Sequence, residues 1–77
     1  MVKYLNKGGN SEVESYELGD DYVKVKFKNS RYVKIYQYSR NNYGHVDQLK
    51  KHAIEGWGLQ TYIDRFVGRD NCRLEFA

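Results

Sequence analysis

Tyr22-Val23-Lys24-Val25-Lys26-Phe27, then Lys28-Asn29-Ser30-Arg31, then Tyr32-Val33-Lys34-Ile35-Tyr36-Gln37-Tyr38 is the stretch that decides the fold. Both flanks alternate with a period of two, the signature of a strand with one face buried. In the first run Val23, Val25 and Phe27 share a side, and Tyr22, Lys24 and Lys26 share the other. In the second run Val33 and Ile35 oppose Tyr32, Lys34, Tyr36 and Tyr38. The polar connection has hairpin length. The pattern predicts a hairpin with Val, Ile and Phe inward on both strands and Lys and Tyr outward on both.

Working outward, Val13 to Leu18 reads as a further strand, joined by the turn Gly19-Asp20-Asp21. Lys7-Gly8-Gly9-Asn10 reads as a flexible segment, and Ser39-Arg40-Asn41-Asn42-Tyr43-Gly44 as a loop. The apolar period then changes to three and four. Val46, Leu49, Ala53 and Ile54 form a helical stripe over about 45–55, with Asp47 and then Lys50 and Lys51 placed to suit the helix dipole. Gly56 suits the left-handed position that ends a helix. Trp57 and Gly58 form a corner, with Trp57 plugging the junction between helices and sheet. Leu59, Tyr62, Ile63, Phe66 and Val67 form a second stripe that ends at Gly68. Cys72-Arg73-Leu74-Glu75-Phe76 alternates and reads as an edge strand or a frayed end.

Strands followed by helices predict an α+β fold. The expected architecture is a three-stranded antiparallel β-meander with one face packed by a C-terminal helical hairpin, with a short extra strand at the C-terminus as an option. The expected layout is a flexible N-terminal segment over 1–10, one domain over 11–68, and a tail or edge strand over 69–77. The expected core is Val23, Val25, Phe27, Val33, Ile35, Val46, Leu49, Trp57, Leu59, Ile63 and Phe66.

Composition agrees with a folded domain. Of 77 residues, 40% are hydrophobic and 16% aromatic, above what a disordered chain carries. Tyrosines make up eight of the aromatics, each an apolar ring with a polar tip. The formal net charge of +3 is unevenly spread. Lys24, Lys26, Lys28, Arg31, Lys34 and Arg40 crowd residues 22–44 without an acid, whereas Glu12, Glu14, Glu17, Asp20 and Asp21 dominate residues 1–21. The first ten residues hold no apolar run of signal-peptide length, and no segment reaches the roughly 18 apolar residues of a membrane span. Cys72 is the lone cysteine, which rules out an internal disulfide and predicts a cytoplasmic, reducing setting.

A family resemblance rests on Tyr16, Val23-x-Val25-x-Phe27, the polar turn, Tyr32-x-x-x-Tyr36-x-Tyr38, a helix, and Gly58-Leu59-x-x-Tyr62-Ile63. Over roughly Gly9 to Val67 the chain resembles the KTSC domain, a short domain named from the C-terminus of some lysyl-tRNA synthetases and found also as free-standing bacterial and phage proteins. The resemblance implies a small domain and, by analogy with the synthetase, an RNA-related role; it implies no catalytic residues.

Candidate sites follow from residue type. Tyr22, Lys24, Lys26, Tyr32, Lys34, Tyr36 and Tyr38 form the candidate partner-binding face. Exposed rings beside ammonium groups suit base stacking and phosphate contact, and they also suit a protein contact or a homodimer. Plain cross-strand packing accounts for the same residues. His45 and His52 lie seven apart, without the i, i+4 spacing and third ligand that zinc requires. Cys72 lies between Arg69 and Arg73, a basic setting that lowers a thiol pKa, but without a base in reach. Gly8-Gly9 lacks the continuation of a phosphate loop. The acidic run from Glu12 to Asp21 reads as a solvated charge run rather than a pair of catalytic carboxylates. No nucleophile–base pair and no metal set can be assembled, so no enzyme activity and no cofactor are expected. The sequence predicts a non-catalytic interaction module facing a macromolecular partner, a protein before a nucleic acid, with no membrane contact. RNA or single-stranded DNA binding, and an inhibitor or accessory role on a phage or mobile element, stand as alternatives.

Overall fold

The alternation of the central hairpin propagates into a larger sheet than it predicts. The computed structural model describes residues 1–40 and 43–77, so Asn41 and Asn42 of the expected loop lie outside the described residues. Five strands form one antiparallel sheet in the order β1 (Val2–Lys3), β2 (Val13–Leu18), β3 (Tyr22–Phe27), β4 (Tyr32–Gln37) and β5 (Arg73–Phe76). Between β4 and β5 the chain forms α1 (Tyr43–Glu55) and a short α2 (Leu59–Tyr62), which continues as a π-helical turn over Ile63–Val67. The three expected strands are present, and the alternating tail is an edge strand. The expected helical hairpin is one long helix and one short, partly π-helical segment.

The register of the central hairpin departs from the expected one. Val23 lies opposite Tyr36, Lys24 opposite Ile35, and Lys26 opposite Val33. Opposed residues in an antiparallel pair point to the same side. Tyr36 therefore shares a face with Val23, Val25 and Phe27, while Val33 and Ile35 share the other with Lys24 and Lys26. The cause is the four-residue connection, which pairs odd-numbered residues with even-numbered ones. It is closed by Ser30 donating its N–H to the Phe27 carbonyl at 3.3 Å, with Asn29 left-handed at φ 62°.

The main core fills the space between sheet and helices. Val13, Val23, Val25, Phe27 and Tyr36 meet Val46, Leu49, Ala53, Leu59 and Ile63, all buried. Tyr4 is buried in the same cluster, its N–H bonded to the Glu14 carbonyl at 3.0 Å. The N-terminal segment expected to be flexible thus supplies an edge strand and a core residue. At the corner, Gly56 (φ 83°) and Gly58 (φ 77°) adopt the left-handed conformation that glycine reaches without strain. Val33 and Ile35 are buried on the opposite face, away from the described helices. The Lys24–Glu75 ion pair at 3.2 Å joins β3 to β5 across β4, so the lysine stem lies over these two side chains.

Trp57 and Phe66 depart from the expected core: they are 59% and 58% exposed. Trp57 sits between two left-handed glycines that turn the backbone outward. Phe66 falls in the π turn, where Gly68 donates its N–H to the Ile63 carbonyl at 2.7 Å. The wider turn rotates Phe66 off the inward stripe, and Val67 packs against the core in its place.

Denaturant unfolding should separate the two aromatic environments. Phe27→Ala should cost about 3–5 kcal/mol, as removal of a buried ring does. Trp57→Ala should cost no more than about 1 kcal/mol, as an exposed substitution does. Equal losses at the two positions would contradict this packing.

Candidate functional site

The seven residues of the candidate partner-binding face do not form one surface. The hairpin register sends Tyr22, Lys24 and Lys26 to the face away from the helices, and Tyr32, Lys34, Tyr36 and Tyr38 to the face the helices occupy. Tyr36 is fully buried and donates its hydroxyl to the Arg69 carbonyl at 3.0 Å. Burial pushes its phenol far above the ordinary value of 10.0. Tyr38 reaches α1, where its hydroxyl bonds Asp47 and the Lys50 ammonium sits 5.0 Å from its ring centre. Tyr32 stacks on Phe76 at 4.9 Å.

The lysines are engaged as well. Lys24 lies 3.7 Å from Glu17 and 3.2 Å from Glu75, Lys26 lies 3.7 Å from Glu14, and Lys34 lies 3.1 Å from Asp70. The bond to Glu75 raises the Lys24 pKa, and the bond from Tyr22 to Glu17 raises the Tyr22 phenol. Three of the six bases in the basic stretch are thus met by acids brought from β2, β5 and the loop before β5.

A different surface gathers exposed rings. A groove of about 510 Å³ opens between the N-terminal loop and the α1–α2 corner. His52 of α1, Trp57 of the corner, Tyr62 of α2 and Phe66 of the π turn line it. Tyr62 and Phe66 lie 4.9 Å apart, His52 and Tyr62 5.4 Å, and His52 and Trp57 6.5 Å edge-on. His45 holds the far side of Tyr62, its Nδ1 2.8 Å from the phenol oxygen. His52 faces the Trp57 carbonyl through its Nδ1 at 3.1 Å.

The opposite wall is a loop tied to itself and to α2. Ser11 donates its N–H to the Asn6 side chain at 3.1 Å, and Glu12 donates its N–H to the Gln60 side chain at 2.6 Å. Gln60 returns a bond to the Glu12 carboxylate at 3.3 Å. The amides of Asn6 and Gln60 thus serve the fold, and the rings are the groove's main contact element. Among the described residues, Arg65 is the one lysine or arginine in its lining.

The remaining candidates fall elsewhere. Both histidines sit in this aromatic row, and among the described residues no group of three His, Cys, Asp or Glu could hold a metal. Cys72 is buried, and burial is the main cause raising its thiol pKa, the reverse of the expected effect of Arg69 and Arg73. No described helix is long and apolar enough to cross a membrane. Comparison of the chain with family models, curated proteins and solved structures finds no match.

The sequence reading missed the groove because the helical period put Phe66 on the inward stripe and the corner put Trp57 in the junction between helices and sheet. One signal was readable. Gly-Trp-Gly lets the backbone turn sharply on both sides of a large ring, and such a ring can be turned out as easily as in.

The buried phenol makes a pH prediction. The unfolded chain ionises tyrosine near the ordinary value of 10.0, and folded Tyr36 well above it. Above that pH the unfolded state gives up a proton that the folded state keeps, so stability falls as pH rises. Tyr36→Phe should lose about 1 kcal/mol at neutral pH with its hydrogen bond. It should also show a shallower alkaline decline, not a flat one, because burial raises Tyr4 too. Equilibrium unfolding at neutral pH and through the alkaline range measures both; an unchanged alkaline slope would remove Tyr36 as its source.

Proposed function

We propose that this chain is a non-catalytic interaction module whose contact surface is the aromatic groove, and whose partner is a protein segment presenting an apolar or aromatic side chain. The observation that carries the reading is the exposure of Trp57 and Phe66, each more than half open to solvent, along one wall of a concave surface. Large rings held open to solvent are what interfaces are built around. A nucleic-acid partner is disfavoured by charge. Phosphate recognition draws on several unneutralised cations, whereas among the described residues Arg65 is the one lysine or arginine lining the groove, and Lys24, Lys26 and Lys34 of the sheet face carboxylates.

The likeness to the KTSC domain belongs to the same proposal, and it speaks to scaffold more than to site. Val23, Val25, Phe27, Tyr36, Leu59 and Ile63, which carry much of it, are buried. A domain sharing those positions would share the sheet and its packing while differing in the groove.

Selection from a peptide library against the folded chain tests the reading. Selected peptides should shift the emission of Trp57, the sole tryptophan, to the blue. By calorimetry, Trp57→Ala and Phe66→Ala should each weaken binding by about tenfold or more, as loss of a central aromatic does. Lys24→Glu should leave it nearly unchanged. Peptides indifferent to Trp57→Ala would overturn the proposal, as would low-salt binding of RNA or single-stranded DNA that Lys24→Glu abolishes.

A further inference from the structure

β5 closes one side of the sheet, with β4 on one flank and, among the described residues, no strand on the other. All four of its residues are exposed. The opposite edge, β1, is only two residues long. An uncovered strand edge presents a row of unpaired backbone donors and acceptors.

The hydrogen-bond pattern shows which groups β5 presents. Ala77 donates its N–H to the Arg31 carbonyl at 3.0 Å, continuing the register that sets Glu75 opposite Val33 and Arg73 opposite Ile35. Bonded and non-bonded pairs alternate along an antiparallel ladder. Arg73 and Glu75 therefore direct their backbone groups toward β4, and Leu74 and Phe76 direct theirs to the free edge. Leu74 is 53% exposed and Phe76 74%, so the apolar side chains at this edge are open too.

We propose that two copies of the chain pair antiparallel through β5, about a two-fold axis at Leu74. Leu74 of each copy then exchanges both backbone bonds with Leu74 of the other. Arg73 of each copy falls opposite Glu75 of the other, in the non-bonded pairs where side chains approach most closely. Charge selects this register over its neighbours. The backbone pattern allows slips of two residues only, and a slip either way sets Arg73 against Arg73 or Glu75 against Glu75. Among the described residues Arg73 has no carboxylate partner in its own chain, so the pairing supplies one. Glu75 meets Lys24 through Oε1, and a carboxylate accepts at both oxygens. The contact is isologous and closes at two copies, whereas joining β5 to β1 of the next copy would run on into a filament.

Sedimentation velocity over a concentration series tests the pairing. The wild-type chain forms a dimer as concentration rises. Arg73→Glu and Glu75→Arg each weaken dimerisation by about tenfold or more, since each sets like charges opposite one another twice. Both sites are exposed, and circular dichroism should show both variants folded. Mixing the two variants in equal amounts restores the dimer, because one copy then carries two acids where the other carries two bases. Combining both changes in one chain restores it as well. Leu74→Pro, which removes the central donor, abolishes it. A wild-type chain that stays monomeric throughout would overturn the proposal. So would single variants that dimerise like wild type, or a mixture of folded variants that stays monomeric.

Discussion

The pairing of Val23 with Tyr36 is the constraint on which the rest of the molecule depends. It comes from an even number of residues between β3 and β4, and it commits every side chain of β4 to a face. With Tyr36 inward, the core holds a phenol that must find a hydrogen-bond partner. That partner is the Arg69 carbonyl, in the segment leading to β5. The Arg69 guanidinium in turn lies 4.6 Å from the centre of the Phe27 ring. The approach to the last strand is thereby fixed to the first core layer. With Val33 and Ile35 outward, the opposite face must hide two aliphatic side chains away from the described helices, and the paired lysines and glutamates of the flanking strands cover them.

The elements of this fold were largely legible in the sequence, and their relative facing was not. Alternation in Tyr22–Phe27 and Tyr32–Gln37 marked both strands, and the switch at Val46, Leu49 and Ala53 marked α1. Period two states which residues of one strand lie together. It does not state which half of the next strand joins them, because that depends on whether the turn between contains an odd or an even number of residues. β1 was invisible for a different reason: two residues carry no period. Phe66 was misplaced because a helical wheel assumes uniform winding, and a single π turn shifts the angular position of its residues on that wheel.

Charge shows the same difference between order in the chain and order in space. Residues 22–44 carry six bases and no acid, which suggests a cationic surface. Antiparallel pairing instead places Glu17 directly opposite Lys24 and sets Glu14 beside Lys26, and β5 brings in Glu75. The acidic run before the hairpin is the complement of the basic run within it. Exposed pairs of this kind contribute little each. Their effect is on specificity, because a slip of the β2–β3 register would separate them.

The groove owes its shape to contacts made on either side of it. Lys7 donates its N–H to the Gly56 carbonyl at 2.7 Å, Leu59 donates its N–H to the Tyr4 hydroxyl at 3.4 Å, and Gln60 bonds the turn at Glu12. A Cβ on Gly56 would lie 2.6 Å from the Leu5 Cβ, so the N-terminal loop closes on the corner only because that residue is glycine. The loop wall and the aromatic wall are thus held to each other by the fold itself. Rings fixed before contact lose little conformational freedom on binding, and less of the interaction is spent on ordering them. A 77-residue chain has few large side chains to spare from its core. Leaving Trp57 and Phe66 outside it, in a groove the backbone holds open, is a cost in stability that a contact surface would account for and a plain scaffold would not.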